Sequence, residues 1–352
     1  MKVECPTCAK VYNIPDDRVA AFKGKTFNCP ACKGKVTLDL PPGKDTVDET
    51  IPHTEDTVNE SIPEPAALSQ TDQSVDLMGQ ITKAIEDLEP MPEVIQKARA
   101  VMSKPNATFK EIGKVLETDQ AIVAKVLKIA NSAYYGLSGR VASIHQALVV
   151  LGYQTLEQVI NTAWASKVLA NTMKGYGFDA GTLWNHSLAV AMGAKIVSAK
   201  RRPTLENDAF TAGLLHDVGK LILDEHILRN KSDFDSLRKD DPCLRNAEQK
   251  LFGFDHSDIA ALICEQWKLP EMQAGAIKFH HAPADSPGID LAHVLYLSDF
   301  MARKCGLGTE SFNEAEAIEE NTLDFLEFKV EDLDPIMAEI SAYVGDISKS
   351  VF

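Results

Sequence analysis

The chain has 352 residues, of which 45% are hydrophobic and 25% charged, and its formal net charge is −15. This length allows two or three domains with a sizeable core, and the composition is that of an ordinary globular protein. A strongly acidic chain argues against broad nucleic-acid binding, since contacts to phosphates need a basic surface. No apolar run approaches the roughly 20 residues that span a bilayer, and the first residues lack a signal-peptide core, so we expect a cytoplasmic protein without membrane contact.

Two cysteine pairs stand near the start of the chain, in Cys5-Pro-Thr-Cys8 and Cys29-Pro-Ala-Cys32. Each pair places two thiolates at the right separation for half of a tetrahedral zinc site, and disulfides are not expected in the cytoplasm. Short alternating segments after each pair predict small β-strands. We therefore expect residues 1–40 to form a β zinc ribbon, in which zinc replaces most of a hydrophobic core. The alternative is four reduced cysteines without a metal.

Residues 41–75 have the composition of a flexible linker. They are rich in proline and contain eight acidic residues, one lysine and no aromatic residue. Such a segment cannot bury enough apolar surface to offset its conformational entropy, so we predict disorder. The stretch 45–52 (DTVDETIP) recurs as 56–63 (DTVNESIP). Its threonines are either phosphorylation sites read by a partner or the remains of a duplicated spacer.

From about residue 76 the apolar residues follow a helical period. Ile81, Ile85 and Leu88 are separated by four and three positions, and prolines and glycines, including Gly152, divide the remainder into segments of ordinary helix length. The sequence therefore predicts a mainly α body. Residues 301–352 continue with acidic amphipathic segments that we expect to pack against it.

Histidine and aspartate residues in the second half of the chain are spaced like the ligands of a helical metal site. They are His186, His216, Asp217, His256, His280, His281 and Asp299. Imidazoles and carboxylates bind zinc, iron or manganese and leave coordination positions open for water or phosphate. The His216-Asp217 pair interrupts an apolar helical run, where a buried polar group needs a partner. The alternative is a vestigial site whose histidines hydrogen-bond to one another and to water.

This His…His-Asp…Asp pattern resembles the HD phosphohydrolase superfamily. The motifs at 91–93 (MPE), 119–136 (DQAIVAKVLKIANSAYYG) and 147–152 (ALVVLG) narrow the resemblance to the HDOD domain, a bacterial signalling relative of the HD-GYP phosphodiesterases. The resemblance covers roughly residues 84–300, and the predicted HDOD helical bundle runs over residues 76–300.

The resemblance implies a role for each residue of the pattern. One divalent metal would be held by His186, His216, Asp217 and Asp299, and a second by His256, His280 and His281 across Asp217. Asp217 and Lys220 would be the catalytic residues, with Lys220 placed over a phosphate while the metals activate water. One or two ions of iron, manganese or zinc are implied.

Two departures from the catalytic relatives leave enzymatic activity open. The Gly-Tyr-Pro triplet that follows their double histidine is absent, and Thr182 stands where an acidic residue is expected. HDOD domains generally resemble signalling scaffolds. The favoured hypothesis is therefore a cytoplasmic signalling protein whose HDOD module binds metal and docks partner proteins through its surface, the ribbon or the linker, with 131–136 (NSAYYG) as candidate docking surface. The alternative is a metal-dependent phosphohydrolase acting on a nucleotide or cyclic dinucleotide, and nucleic-acid binding by the ribbon is a third, less favoured hypothesis.

Overall fold

The computed structural model describes four short N-terminal strands and most of the chain from residue 70. The described residues are 2–4, 11–13, 26–28, 35–37 and 70–351, except 89–90, 103, 105, 138, 287, 311–317 and 319. The chain divides into two compact units, residues 1–67 and residues 68–352.

The first unit contains two antiparallel hairpins. Strand β1 (Lys2–Glu4) pairs with β2 (Val11–Asn13), and β3 (Thr26–Asn28) pairs with β4 (Lys35–Thr37). Strands β2 and β4 are therefore present where the sequence predicts strands after each cysteine pair. Cys5, Cys8, Cys29 and Cys32, and residues 41–69 of the linker, lie outside the described residues, so the zinc ribbon and the disordered linker stay predictions.

The second unit is mainly helical, as the sequence predicts. Its helices are α1 (Gln70–Asp87), α2 (Glu93–Met102), α3 (Phe109–Leu116), α4 (Gln120–Ala130), α5 (Ile144–Leu169), α6 (Thr182–Arg201), α7 (Glu206–Leu215), α8 (Lys220–Arg229), α9 (Lys231–Asp240), α10 (Leu244–Phe252), α11 (His256–Gln266), α12 (Glu271–Lys278), α13 (Asp290–Lys304), α14 (Glu320–Leu326) and α15 (Leu333–Val351). Among the residues that the structure describes, no helix is both long and apolar enough to cross a bilayer.

Two features of the helix boundaries bear on the predictions. Helix α1 already begins at Gln70, inside the segment predicted as linker, because an established helix extends by one backbone hydrogen bond per added residue. The predicted break at Gly152 is confirmed. This glycine has φ 76° and ψ 176° within α5, a conformation that a residue with a Cβ rarely adopts.

Helix α6 is the centre of the second unit. It packs against α7, α13 and α15, and most of its side chains are buried. A helix that is apolar on all sides belongs in the core, and here the core extends along most of the domain. His186 lies on the buried part of this helix and is therefore deep inside the protein.

The C-terminal helix α15 covers one side of this core and fixes the tyrosines of the candidate docking surface. Tyr343 is buried, and its ring centroid lies 4.6 Å from that of Tyr134 in an edge-to-face contact. Tyr134 in turn contacts Tyr135 at 5.1 Å. Both tyrosine rings therefore take part in internal packing, and the exposed part of this segment consists of small residues such as Ala133 and Gly136.

A glycine allows helices α6 and α7 to pack closely. A Cβ on Gly213 would lie 2.8 Å from the Cα of Ala191 and 2.9 Å from the carbonyl oxygen of Val190. The clash is with backbone, which cannot rotate away as a side chain can. This close contact places the end of α7, where His216 follows, directly against α6.

We predict that Gly213→Ala lowers the free energy of unfolding by about 1–3 kcal/mol or more, because the added methyl group forces α6 and α7 apart. Urea unfolding followed by circular dichroism measures the change. The matched control is Gly113→Ala on α3, where an added Cβ meets no atom within 4 Å and the helix gains up to about 1 kcal/mol. Equal stabilities of the two variants would contradict the prediction.

Candidate metal centre

The seven predicted metal ligands come from five places in the chain. His186 lies on α6, His216 and Asp217 follow α7, His256 is the first residue of α11, His280 and His281 follow α12, and Asp299 lies on α13. The structure brings all seven together, and all except half-buried His281 are buried. A group of titratable side chains at this depth needs mutual partners or a bound cation.

The first group of ligands surrounds His186. Its Nε2 lies 3.2 Å from Nε2 of His216, 3.4 Å from Oδ2 of Asp217 and 3.2 Å from Oδ1 of Asp299. The ligand atoms of His186, His216 and Asp217 all lie within 4.8 Å of one another, a spacing that one metal ion can bridge.

The second group of ligands is formed by His256, His280 and His281, again with ligand atoms within 4.8 Å of one another. Nε2 of His256 lies 2.8 Å from Nε2 of His281 and 3.2 Å from Oδ1 of Asp217. Nε2 of His280 is buried and has no hydrogen-bond partner among the described residues. Asp217 therefore stands between the groups, with one carboxylate oxygen facing each.

Backbone carbonyl groups orient three of the imidazole rings. Nδ1 of His186 lies 3.0 Å from the carbonyl oxygen of Leu307, and Nδ1 of His216 lies 2.8 Å from that of Gly213. Nδ1 of His280 lies 2.6 Å from the carbonyl oxygen of Ile277, three residues earlier. A carbonyl oxygen only accepts, so each Nδ1 carries a hydrogen and each ring turns its Nε2 inward.

Glu248 is a further residue of the site that the sequence reasoning missed. Its Oε2 accepts hydrogen bonds from Nδ1 of His256 at 2.7 Å and from the backbone N–H of His256 at 2.8 Å, while Oε1 accepts from the hydroxyl of Tyr176 at 2.8 Å. A carboxylate behind a histidine fixes the ring orientation and raises its basicity. The available signal was a glutamate on the apolar face of α10, next to buried Ala247.

Gly219 allows α11 to approach the His-Asp pair. A Cβ at this position would lie 2.1 Å from the carbonyl oxygen of His256 and 2.7 Å from the backbone nitrogen of Ala260. Only glycine fits such a contact, so Gly219 determines how near His256 comes to Asp217.

Burial and charge set the protonation states of the cluster. Burial lowers the pKa of His216 to about 4 and that of His280 to about 3, so both rings are neutral near pH 7. Burial also disfavours the charged form of His256, but the carboxylates of Glu248 and Asp217 outweigh it and raise its pKa to about 10. Burial opposes ionisation of Asp217 as well, yet the positive groups around it hold its pKa well below the usual range.

A pocket of about 350 Å³ leads to the cluster, and its lining includes Asp217, Lys220, His256, His281 and Asp299. Nζ of Lys220 donates to Oδ2 of Asp217 at 2.6 Å and to the hydroxyl of Thr309 at 3.1 Å. The buried lysine charge is thus compensated, and its pKa is raised although burial works against it, because Asp217 stabilises the ammonium form. A small ligand entering this pocket would meet both the cluster and Lys220.

The remaining histidines are distributed outside this cluster. His145 is exposed, and His293 lies 3.1 Å from the Thr322 hydroxyl and stacks on the Phe325 ring. His226 follows two acidic residues, a context that predicts an exposed side chain, but it is buried because its position on α8 faces inward. His53 lies outside the described residues.

Comparison with known proteins matches most of this region to one family. The HDOD domain family profile matches residues 88–283, more than half of the chain. A protein of Treponema pallidum (strain Nichols), described as uncharacterized, is 24% identical over 227 residues, which covers 63% of this chain and 43% of that protein. The chain thus matches less than half of that relative's length.

Three solved structures share the fold. An HDOD domain protein with unknown function from Geobacter sulfurreducens gives a TM-score of 0.65 at 23% identity, covering 80% of this chain and 98% of that chain. A Shewanella amazonensis SB2B protein provisionally named a phosphohydrolase gives a TM-score of 0.62 at 24% sequence identity, and the match covers 78% of this chain and 98% of that chain. A Marinobacter aquaeolei VT8 protein provisionally named a signal transduction protein gives a TM-score of 0.64 at 24% sequence identity, and the match covers 82% of this chain and 67% of that chain. At these identities the likeness shows the fold alone.

The depressed histidine pKa values predict acid sensitivity of the metal-free protein. An unfolded histidine titrates near pH 6.5, whereas folded His216 titrates at about 4 and His280 at about 3. The unfolded state therefore binds more protons below about pH 6.5, and the free energy of unfolding falls as the pH falls from there toward 4. His256, whose pKa is raised to about 10, is already protonated in the folded state. Its unfolded ring binds a proton only as the pH falls through about 6.5, so His256 offsets part of this loss, but less than His216 and His280 together produce.

Urea unfolding of metal-free protein at pH 7 and pH 5 measures this loss of stability. His216→Gln should make the loss smaller, whereas His145→Gln, which changes an exposed histidine, should leave it unchanged. Equal stability of the unmodified protein at the two pH values would show that the buried rings do not titrate as expected.

Proposed function

This chain belongs to the HDOD domain family, and on that premise we propose that its helical domain is a signalling module that binds one or two divalent metal ions at the His/Asp cluster. The observation that carries the proposal is the inward convergence of imidazole Nε2 atoms on Asp217. Imidazole rings in their neutral form offer lone pairs and the aspartates offer negative charge, which together are the ligand set of zinc, iron or manganese.

The first group fits a metal ion well. Two ligands about 2.0 Å from a tetrahedral ion lie about 3.3 Å apart. Nε2 of His186 and Nε2 of His216 are 3.2 Å apart, with a carboxylate oxygen of Asp217 and one of Asp299 beside them. His186, His216, Asp217 and Asp299 would therefore hold the first ion.

The second group fits a metal ion after a small change. Nε2 of His256 and Nε2 of His281 are 2.8 Å apart, closer than two ligands of one ion. His256 is also protonated when no metal is bound, because Glu248 raises its pKa to about 10. Binding here must open the pair and release a proton, so the second ion should bind more weakly and its affinity should fall as the pH falls.

Metal content tests this proposal. Elemental analysis should find at least one ion per chain in addition to about one zinc in the proposed ribbon, and Asp217→Ala should lose the additional metal because Asp217 faces both groups. Asp240→Ala, which changes an exposed aspartate on α9, is the matched control and should keep full metal content. About one zinc per chain, unchanged by Asp217→Ala, would mean that the helical site is vestigial.

The scaffold part of the proposal is supported by an open groove beside residues 131–136. Its volume is about 1120 Å³, and it runs between α4 and residues 131–142. Asn131 closes this segment through two hydrogen bonds of 2.8 Å with the backbone of Val141. Small side chains such as Ala133 line the groove, with Lys128 and Arg140 at its walls. A groove of this kind suits the surface of a signalling partner.

Hydrolysis of a phosphate ester is a second candidate function, favoured by the pocket that reaches Lys220 and the cluster. A divalent metal bound there would polarise a phosphoryl oxygen. Lys220, held by Asp217 and Thr309, would place a positive charge beside the same group. The ligand class would be a nucleotide or a related phosphate ester.

Turnover of p-nitrophenyl phosphate and bis-p-nitrophenyl phosphate by metal-loaded protein tests this second function. If the site is hydrolytic, Lys220→Gln should lower kcat about 100-fold or more while retaining its metal, since one lost electrostatic contact costs that much in comparable sites. Lys231→Gln, which removes a partly exposed lysine that lies outside the cluster, should leave turnover unchanged. No turnover by the fully loaded protein would leave the signalling module as the sole proposal.

A further inference from the structure

The pocket that leads to the cluster is lined by four lysine and arginine side chains, and three of them are paired with carboxylates. Lys220 donates to Asp217 at 2.6 Å, Arg245 donates to Asp255 at 2.8 Å, and Arg303 donates to Asp299 at 3.0 Å. These three cations stabilise the carboxylates of the site and its surroundings. Their charges are already compensated before any ligand arrives.

Arg238, the fourth cation of the pocket, lies on α9, an element that supplies no candidate metal ligand. Its guanidinium carbon is 6.0 Å from the centroid of the Phe234 ring, and Phe234 is fully buried. The Phe234 ring therefore helps to fix the position of the guanidinium through a cation–π contact. Within the described part of the chain, Nε of Arg238 is buried and has no hydrogen-bond acceptor.

The guanidinium of Arg238 is fixed in position and its Nε–H lacks an acceptor among the described residues, so it can bind a ligand that supplies one. A buried N–H group without an acceptor costs free energy, and an incoming oxygen atom removes that cost. The planar fork of an arginine matches two oxygens of a phosphoryl group, which makes arginine the preferred residue for such contacts.

We propose that Arg238 is the anion-recognition residue of this pocket and binds the phosphoryl group of a small phosphorylated ligand. The inference rests on the proposed function, because the same pocket leads to the metal cluster. It assigns the recognition of the ligand to α9, while α6, α7, α11, α12 and α13 hold the metals. Arg238 is a specificity-determining residue and leaves the metal ligands untouched.

Isothermal titration of the metal-loaded full-length protein with inorganic phosphate tests this assignment. Arg238→Gln should weaken phosphate binding about tenfold or more, because it removes a charge-assisted hydrogen-bond donor. Arg238→Lys keeps the charge but loses the fork, so its affinity should be intermediate. The matched control is Arg229→Gln on α8, which removes an exposed arginine paired with Glu225 and should bind phosphate like the unmodified protein.

Elemental analysis of the same samples separates this inference from the proposed function. Unchanged metal content together with weaker phosphate binding in Arg238→Gln supports the assignment. Equal phosphate affinity of Arg238→Gln and the unmodified protein overturns it, and so does a loaded protein that binds no phosphate, while the metal site stands in both cases. Absence of metal beyond the ribbon zinc overturns the proposed function, and this inference with it.

Discussion

The ionised carboxylate of Asp217, buried among imidazole rings, is the constraint on which the rest of the domain depends. Its oxygens lie 2.6 Å from Nζ of Lys220, 3.2 Å from Nε2 of His256 and 3.4 Å from Nε2 of His186. In a dry interior each of these interactions is strong, and a missing one leaves an expensive unpaired charge. The helices that carry the partners of Asp217 must therefore all be in place in the folded domain.

Uncharged contacts around the cluster fix the positions and orientations of its side chains. Backbone carbonyls orient His186, His216 and His280, so that the rings present Nε2 without further adjustment. Gly213 and Gly219 let backbones approach where any side chain would collide. The cluster is thus positioned by packed helices rather than by mobile loops, a condition for a metal site of defined geometry.

The two halves of the cluster differ in what they require of a metal. The group around His186 already has the separation of two ligands of one ion, whereas the pair His256 and His281 is too close and holds a proton supported by Glu248. A site with one ready and one conditional position suits a signalling module, whose occupancy responds to metal supply and pH. The proposed hydrolysis would require in addition that a phosphorylated ligand is held beside the site by the side chains that line the pocket.

The sequence by itself determined the helical class, the break at Gly152 and the set of ligand candidates. Apolar periodicity, glycine conformation and the spacing of His and Asp residues are local properties that a single chain displays. It could not reveal Glu248, Gly219 or the burial of His226, because each depends on which other segment packs against it. The pairing of Asp217 with both groups, and the place of Arg238 in the lining of the pocket, exist only after the helices have assembled. The contact of Arg238 with Phe234, by contrast, is local, since the two residues lie four positions apart on α9. Long-range packing decided the other features, since sequence patterns record which face of a helix is buried but not what it is buried against.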